Sequence, residues 1–411
     1  MTSEWRERPL AELTDNFDGM RVPVKEADRR PGPYPYYGAS GVVDYVDHYL
    51  FDGDYLLVAE DGENLRTRKT PVAFLARGKF WVNNHAHIVR GNSEGDTRFL
   101  MYALSSADIS GYLTGSTMPK LTQGNLNRVP LLTPPLAEQR AIAHILGTLD
   151  DKIELNRRMN ETLEAIARAL FKSWFVDFDP VRAKSEGRDP GLPPHLADLF
   201  PDSFEDSELG EIPAGWRVSG LDEIATYLNG LALQKYAPDD SGSLPVIKIA
   251  QLRTGHTDDA DRASPDIPPA YVVEDGDVLF SWSGSLEVEI WSGGRGALNQ
   301  HLFKVMSDRF PKWFYFLWTR HHLPDFRSIA AGKATTMGHI QRGHLDAAKV
   351  VVPPTALLDL MTEKFQPLLE DLVALRLQSR TIAALRDALM PKLISGQISV
   401  SDAEPFLAVA G

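Results

Sequence analysis

The sequence contains no cysteine. That excludes disulfides, thiolate zinc sites, iron–sulfur clusters and cysteine nucleophiles together, and it suits a reducing compartment. No apolar run approaches the ~18–20 residues of a membrane span. The opening MTSEWRERPL has no apolar signal-peptide core, so a cytoplasmic chain without membrane contact is expected. Basic residues are the minority. Lys and Arg number 43 against 56 Asp and Glu, a net charge of −13 and at first sight a poor match to nucleic acid.

Catalytic signatures are missing as well. Gly78-Lys79-Phe80 and Gly332-Lys333-Ala334 lack the hydroxyl and upstream glycine of a phosphate-binding loop. There is no H-E-x-x-H, and His85, His87, His321 and His322 have no carboxylate at metal-ligand spacing, so they read as structural or DNA-facing. Ile267-Pro268-Pro269-Ala270 lacks both the amide or carboxylate and the aromatic with which an adenine methyltransferase holds a flipped base. Asp150-Asp151-Lys152 looks like the end of a nuclease motif but lies within a heptad pattern, where a solvated face is expected. No chemistry is expected of this chain.

What is present is a repeat. At 411 residues the chain exceeds what one core usually organises. Shifted by 219 positions, TMPKLTQGNLNRVPLLTPPL (117–136) falls on TMGHIQRGHLDAAKVVVPPT (336–355), and ALFKSWF (169–175) falls on ALMPKLI (388–394). Shifted by 211, WRERPLAEL (5–13) falls on WRVSGLDEI (216–224). The middles align only with gaps, Asn83-Asn84-His85 against Asn299-Gln300-His301. Such self-similarity reads as a duplication.

Each copy divides into a globular part, 1–133 and 212–352, and a helical part, 134–178 and 353–396. Residues 179–211 form a linker and 397–411 a C-terminal tail. The globular parts carry strand-like runs at 55–59, 72–76, 87–90, 277–282 and 301–306, and helix candidates at 98–106 and 312–320. In the first helical part Ile142, Leu149, Asn156, Leu163 and Leu170 recur every seven residues, with Ile145, Met159 and Ile166 between them. In the second, Met361, Leu368, Leu375, Ile382 and Leu389 do the same beside Leu372 and Leu385, with Pro391 and Gly396 closing the helix. Both are coiled-coil seams, helices of roughly 55–60 Å. Asn156 stands where a buried amide sets register. The linker, with five prolines and three glycines, reads as an exposed connector. The fold class is therefore α+β: a mixed α+β domain followed by a long helix, twice over, with the long helices paired antiparallel.

Charge is uneven. The segment 181–211 carries −5, whereas 1–133 and 212–352 carry only −2 each, so either can still present a basic face. Arg66, Arg68 and Lys69 form one local cluster. Ser116, Thr117 and Lys120, and in the second copy Lys333, Thr335 and Thr336, combine hydroxyls and lysine beside glycine, a phosphate-binding chemistry. Gln123 and Asn125 align with Arg342 and His344, near His339. Different side chains at matched positions would read different bases.

The passage 128–175 resembles the first conserved helical region of the specificity (S) subunits of type I restriction–modification systems. Pro134-Pro135, Glu138-Gln139-Arg140, Ile142-Ala143 and Leu146 stand at its P-P-x-x-E-Q-x-x-I-A-x-x-L pattern, and ALMPKLISGQI (388–398) resembles the family's closing stretch. The second copy keeps Pro353-Pro354 but has Leu357-Leu358-Asp359 in place of Glu-Gln-Arg. The resemblance implies a bacterial or archaeal subunit without catalytic activity. Each globular part would be a target-recognition domain for one half of a split double-stranded DNA site. The helices would set the spacer and dock two methyltransferase subunits through Glu138, Gln139, Arg140 and the heptad rows. S-adenosylmethionine would belong to the methyltransferase, and ATP and Mg to a restriction or translocase subunit. The alternatives are a specificity chain of a methyltransferase-only or type II-like system, or a coiled-coil scaffold that does not bind DNA.

Overall fold

A computed structural model of the chain describes residues 5–238, 242–332 and 338–409. They form two compact units, residues 1–154 with 381–411, and residues 155–380.

The first unit is built on two four-stranded sheets. One is antiparallel, in the order Thr14–Asn16, Ala86–Gly91, Tyr55–Ala59, Ala73–Ala76. Its central strand reads Leu-Leu-Val because both faces are covered. Leu56 and Val58 pack with the helix Thr97–Ser106, while Leu57 packs with Phe51, Phe80 and Ile88 on the other side. That helix starts at Asp96, whose carboxylate accepts the N–H groups of Arg98 and Phe99 at 3.0 and 2.9 Å. The second sheet runs Gly41–Val46, Pro31–Gly38, Lys79–Val82, Phe51–Asp52, with Pro31–Gly38 and Lys79–Val82 its one parallel pair. Finally, Arg6–Pro9 pairs antiparallel with Pro130–Thr133, so the chain enters and leaves the globular part side by side.

The second unit repeats this plan strand for strand. Its antiparallel sheet runs Thr226–Asn229, Leu302–Met306, Val278–Ser281, Val288–Ile290. Its mixed sheet runs Arg262–Ala263, Leu244–Ile247, Gly296–Leu298, Val272–Val273, again with one parallel pair in the middle. Arg217–Gly220 closes it against Lys349–Val352. The closing registers, Arg6 opposite Thr133 and Arg217 opposite Val352, preserve the offsets of 211 and 219. The gaps between them have a visible cause. Two residues turn the first copy's hairpin between Gly38 and Gly41, whereas the second copy threads the helix Ile249–Thr254 through the same connection. Each run expected as a strand or helix in the globular parts is one.

The long helices span Leu136–Phe171, extended by one π turn to Val176, and Thr355–Ile394. Within the first unit, Ile142, Ile145 and Leu149 share a core with Ile382, Leu389 and Leu393. Within the second, Asn156 lies beside Gln378, Glu164 beside Arg376 and Trp174 beside Phe365, so the helices there run antiparallel.

Four expectations need correction. Met159 and Ile166, placed in the seam by spacing, are each 43% exposed, and Leu163 and Leu170 are half-buried. Here the first helix turns its Ala167 and Phe171 inward instead. Pro391 does not end the second helix. That helix runs on to Ile394 and stops at Gly396, whose φ of +71° is the left-handed stop conformation. The segment 179–211 is not an exposed connector. It holds a helix at Asp179–Ser185 and a hairpin of Phe204–Ser207 with Gly210–Pro213, and Val181, Leu196 and Phe200 are buried with Trp174, Phe175 and Trp216. Asp150 and Asp151 are more than a solvated face: Asp151 stays exposed, but both carboxylates are paired. Asp150 accepts from Tyr102 Oη and, at 2.7 Å, from Arg386, and Asp151 holds Arg98 through two bonds of 2.8 and 2.9 Å. The second unit has its own tie of this kind: Glu164 accepts from Arg320 and Arg376 at 2.8 and 2.9 Å.

Candidate nucleic-acid interface

In the first unit the two expected clusters become one surface. Gly62 N donates to Pro119 O at 3.1 Å, Leu121 N to Glu60 O at 2.8 Å, and Asp61 bridges Lys120. This lays segment 60–69 along segment 114–121. Arg66 is exposed and reaches Gly115 O at 3.1 Å, beside exposed Ser116 and Thr117. Lys69 and Gln123 are exposed as well. Arg68 turns away. Its left-handed backbone, φ +49°, ends the short helix Asn64–Thr67, and its guanidinium donates to Ser105 O and Ala107 O at 3.1 and 2.7 Å. Asn125 is also engaged inside the fold, donating to Tyr112 O at 2.7 Å and accepting from Arg128.

A charged base lies under this surface. Burial pushes the Glu60 carboxyl up, but Arg21 at 2.8 Å and Lys120 at 3.1 Å more than offset it, and the group is held low. Asp18 behaves alike: burial is outweighed by the bond to His87, by the Ile88 N–H and by Arg21, so its carboxyl stays below the usual range. His87 is 1% exposed, its ring nitrogens 2.6 Å from Asp18 and 2.7 Å from Leu121 O. It is a structural histidine. His85, half-exposed, lies 2.8 Å from Asp61 through Nδ1.

In the second unit Lys333, Thr335 and Thr336 fall outside the described residues. His339 bridges Ser283, and its ring stands edge-on to Trp282 at 6.3 Å. Arg342 lies over the Phe303 ring at 5.8 Å and donates to Tyr227 O at 3.3 Å. His344, half-buried, turns back to the start of its helix, its Nδ1 accepting the Gln341 N–H at 3.0 Å. Residues that the motif reading passed over stand in the same place: Trp282, Ser283 and His301 here, and Glu60 and Asp61 in the first copy, beside His85, which reads from sequence as structural or DNA-facing. The one signal for them was the Asn-x-His triplet shared by both copies. Among the described residues, no three His, Asp or Glu side chains gather as a metal site, and no helix is long and apolar enough to cross a membrane.

Residues 2–165 match the family model of the type I restriction modification DNA specificity domain. The chain is 24% identical to the type I restriction enzyme MjaIX specificity subunit of Methanocaldococcus jannaschii, over 97% of this chain and 94% of that one. It is equally identical, 24%, to the HindI specificity subunit of Haemophilus influenzae, over 96% and 100%. Over nearly its whole length the chain is thus similar to type I specificity subunits, and its first 165 residues carry the family match. A crystal structure of the S subunit from M. genitalium shares its fold, with a TM-score of 0.59 over 95% of this chain and 96% of that one at 16% identity.

The motif that carries the family likeness at the start of the first long helix binds its own domain. Glu138 accepts the Trp5 indole N–H at 3.1 Å. Gln139, buried, donates to Glu94 O and Pro134 O at 3.0 Å each and accepts from Asp96 N at 2.9 Å. Arg140 is exposed. In the second copy Leu357 and Leu358 are buried instead, and the buried Trp216 indole N–H finds no acceptor among the described residues, which follows from the loss of the Glu138 counterpart. Along the seam, Ile142, Leu149, Ile382 and Leu389 are buried in the first unit, and Leu368 and Leu375 are half-buried in the second. Asn156 is fully buried, donating to Gln378 Oε1 at 2.8 Å and Ser379 Oγ at 3.2 Å.

Proposed function

We propose that this chain is the DNA-recognition subunit of a type I restriction–modification enzyme, each unit reading one half of a bipartite double-stranded target. The observation that carries this reading is the repetition: the same two sheets, closed by the same strand pair and followed by the same long helix, occur twice with different surface side chains. Two readers on one chain suit a split site. The paired helices set the spacing between the half-sites and hold two methyltransferase subunits, with a restriction or translocase subunit joining them.

The chain itself does no chemistry in this reading. Adenine methylation, with S-adenosylmethionine and an extruded base, is the methyltransferase's work, and ATP and Mg serve the restriction partner. The modest charge of each globular part suggests that firm DNA binding needs the assembled complex.

Exchange of residues 1–133 for the corresponding part of another family member tests this reading. Methylated adenines are mapped across the genome of cells carrying the exchanged chain with its partners. One half of the methylated sequence should change and the other stay. A change in both halves would overturn the modular reading. The spacer has its own test, a seven-residue insertion after Leu163. It adds about 10.5 Å of helix, close to three base pairs at 3.4 Å per step, and an unchanged spacer would reject the spacing role.

A further inference from the structure

The recognition surfaces of the two units share one backbone frame. In the first, Glu60 N donates to His85 O at 2.9 Å, Leu121 N to Glu60 O at 2.8 Å and Gly62 N to Pro119 O at 3.1 Å. In the second, Trp282 N donates to His301 O at 3.3 Å, Ile340 N to Trp282 O at 3.0 Å and Gly284 N to Gly338 O at 2.9 Å. The N–H of each histidine is anchored by the asparagine two residues before it, His85 on Asn83 at 2.8 Å and His301 on Asn299 at 3.2 Å. The histidine Nδ1 then meets the side chain at the next position of the strand end, Asp61 at 2.8 Å or Ser283 at 3.0 Å. Asp61 bridges Lys120 as Ser283 bridges His339.

The frame is constant and its side chains are not. Glu60 becomes Trp282, Asp61 becomes Ser283 and Lys120 becomes His339, while the anchoring Asn83 and Asn299 and the histidines His85 and His301 agree. Core positions do the opposite: Leu10 and Leu221, Leu13 and Ile224, Leu126 and Leu345, and Leu131 and Val350 keep both type and burial. Free drift of surface residues does not account for the pattern, because the varied side chains are braced. Lys120 is held by Glu60 at 3.1 Å, and the Trp282 indole N–H by Asn229 at 2.9 Å and Gln300 O at 3.1 Å. Fixed polar groups on a rigid strand end are what discrimination between hydrogen-bonding partners requires.

We propose that this three-segment cluster is the base-reading site of each unit, a deepening that rests on the DNA-recognition reading above. In the first unit Asp61 accepts from an exocyclic amine of cytosine or adenine, and Lys120 donates to a guanine edge. In the second, Ser283 is buried and holds His301, so His301 and His339 address an acceptor edge, and the face of Trp282 contacts a thymine methyl.

The test uses the full chain co-expressed with its methyltransferase subunits, in three forms: unaltered, Asp61→Asn, and the transplant Ser283→Asp with His339→Lys. Methylated sequences are mapped. The purified complexes are then competed between cognate duplexes and duplexes altered in one half-site. Asp61→Asn should relax or change a position in one half-site, and the transplant should do so in the other. Discrimination at that position should fall about 10- to 100-fold while the opposite half is untouched. Unchanged sequences with unchanged discrimination would overturn the proposal. So would a uniform loss of retention at constant discrimination, which marks a phosphate contact. If the unaltered complex methylates no bipartite sequence, the DNA-recognition reading fails, and not the choice of cluster.

Discussion

Alanine at Gly147 is a substitution for which local and tertiary effects have opposite signs. Glycine inside a helix costs about 1 kcal/mol relative to alanine, so propensity alone favours the change. A Cβ at this position, however, would lie 2.3 Å from Cζ of Arg98. The guanidinium lies across the glycine, donating to Gly147 O at 2.8 Å and to Asp151 at 2.8 and 2.9 Å. It must leave, and those bonds go with it. A charged hydrogen bond contributes about 1.5–3 kcal/mol net, and the Asp151 share is discounted because that carboxylate is half-exposed. With roughly 2–3 kcal/mol lost and 1 gained, Gly147→Ala should destabilise the first unit by about 1–2 kcal/mol, a Tm lower by roughly 3–6 °C. Removing Arg98 reverses the sign. In an Arg98→Met background the same alanine should stabilise by about 1 kcal/mol. Calorimetry of the four chains decides, and a Gly147→Ala effect of the same sign in both backgrounds would refute the reasoning.

Asp150→Ala leaves Tyr102 and the half-buried Arg386 without their shared acceptor, though Arg386 keeps Asp387, and should cost about 1–3 kcal/mol in urea unfolding, with Asp150→Asn recovering part of it. Equal losses for the two variants would mean that packing, not the polar tie, matters there. Asp18 is held below its ordinary 3.8 in the fold, so its stabilisation is complete above that pH and lost as pH falls through the depressed value. Asp18→Asn should flatten the decline of the urea midpoint as pH falls below the ordinary 3.8, and an unchanged slope would count against it. Trp216→Phe removes a buried N–H that has no acceptor among the described residues and should cost less than about 1.5 kcal/mol, against about 3–5 for Trp216→Ala. Comparable losses for both would show that the indole nitrogen has a partner in solution.

The strands and helices of the globular parts were legible because their signal is local. Tyr55–Ala59 and Val278–Ser281 are apolar throughout, as a strand covered on both faces must be. The helix pair was legible for the same reason, but only as spacing. A seven-residue row does not say which flank finds a partner, so Met159 and Ile166 were assigned to a seam they do not enter. Proline and glycine between 179 and 211 hid three well-separated apolar residues, Val181, Leu196 and Phe200, that fill space beneath Trp216. Half of the candidate surface was visible in advance as basic and hydroxyl residues. The remainder was not, because residues 60–61, 85 and 120 meet only through pairing of distant segments. Arg68 shows the converse: nothing in its neighbours announces the left-handed turn that aims it at the carbonyls of Ser105 and Ala107.

The strand pairs Arg6–Pro9 with Pro130–Thr133 and Arg217–Gly220 with Lys349–Val352 act as clasps. Because the chain enters and leaves each reader at one place, two crossovers, one on each strand of a clasp, remove a whole reader and nothing else. The antiparallel register, Arg6 opposite Thr133 and Arg217 opposite Val352, gives an incoming reader the same backbone bonds to close on whatever its interior sequence. Genetic exchange at these points can therefore yield a new target in a single event, without an intermediate in which the helices and their partners must be rebuilt. Point substitution inside the reader would have to pass through forms that recognise neither the old sequence nor the new.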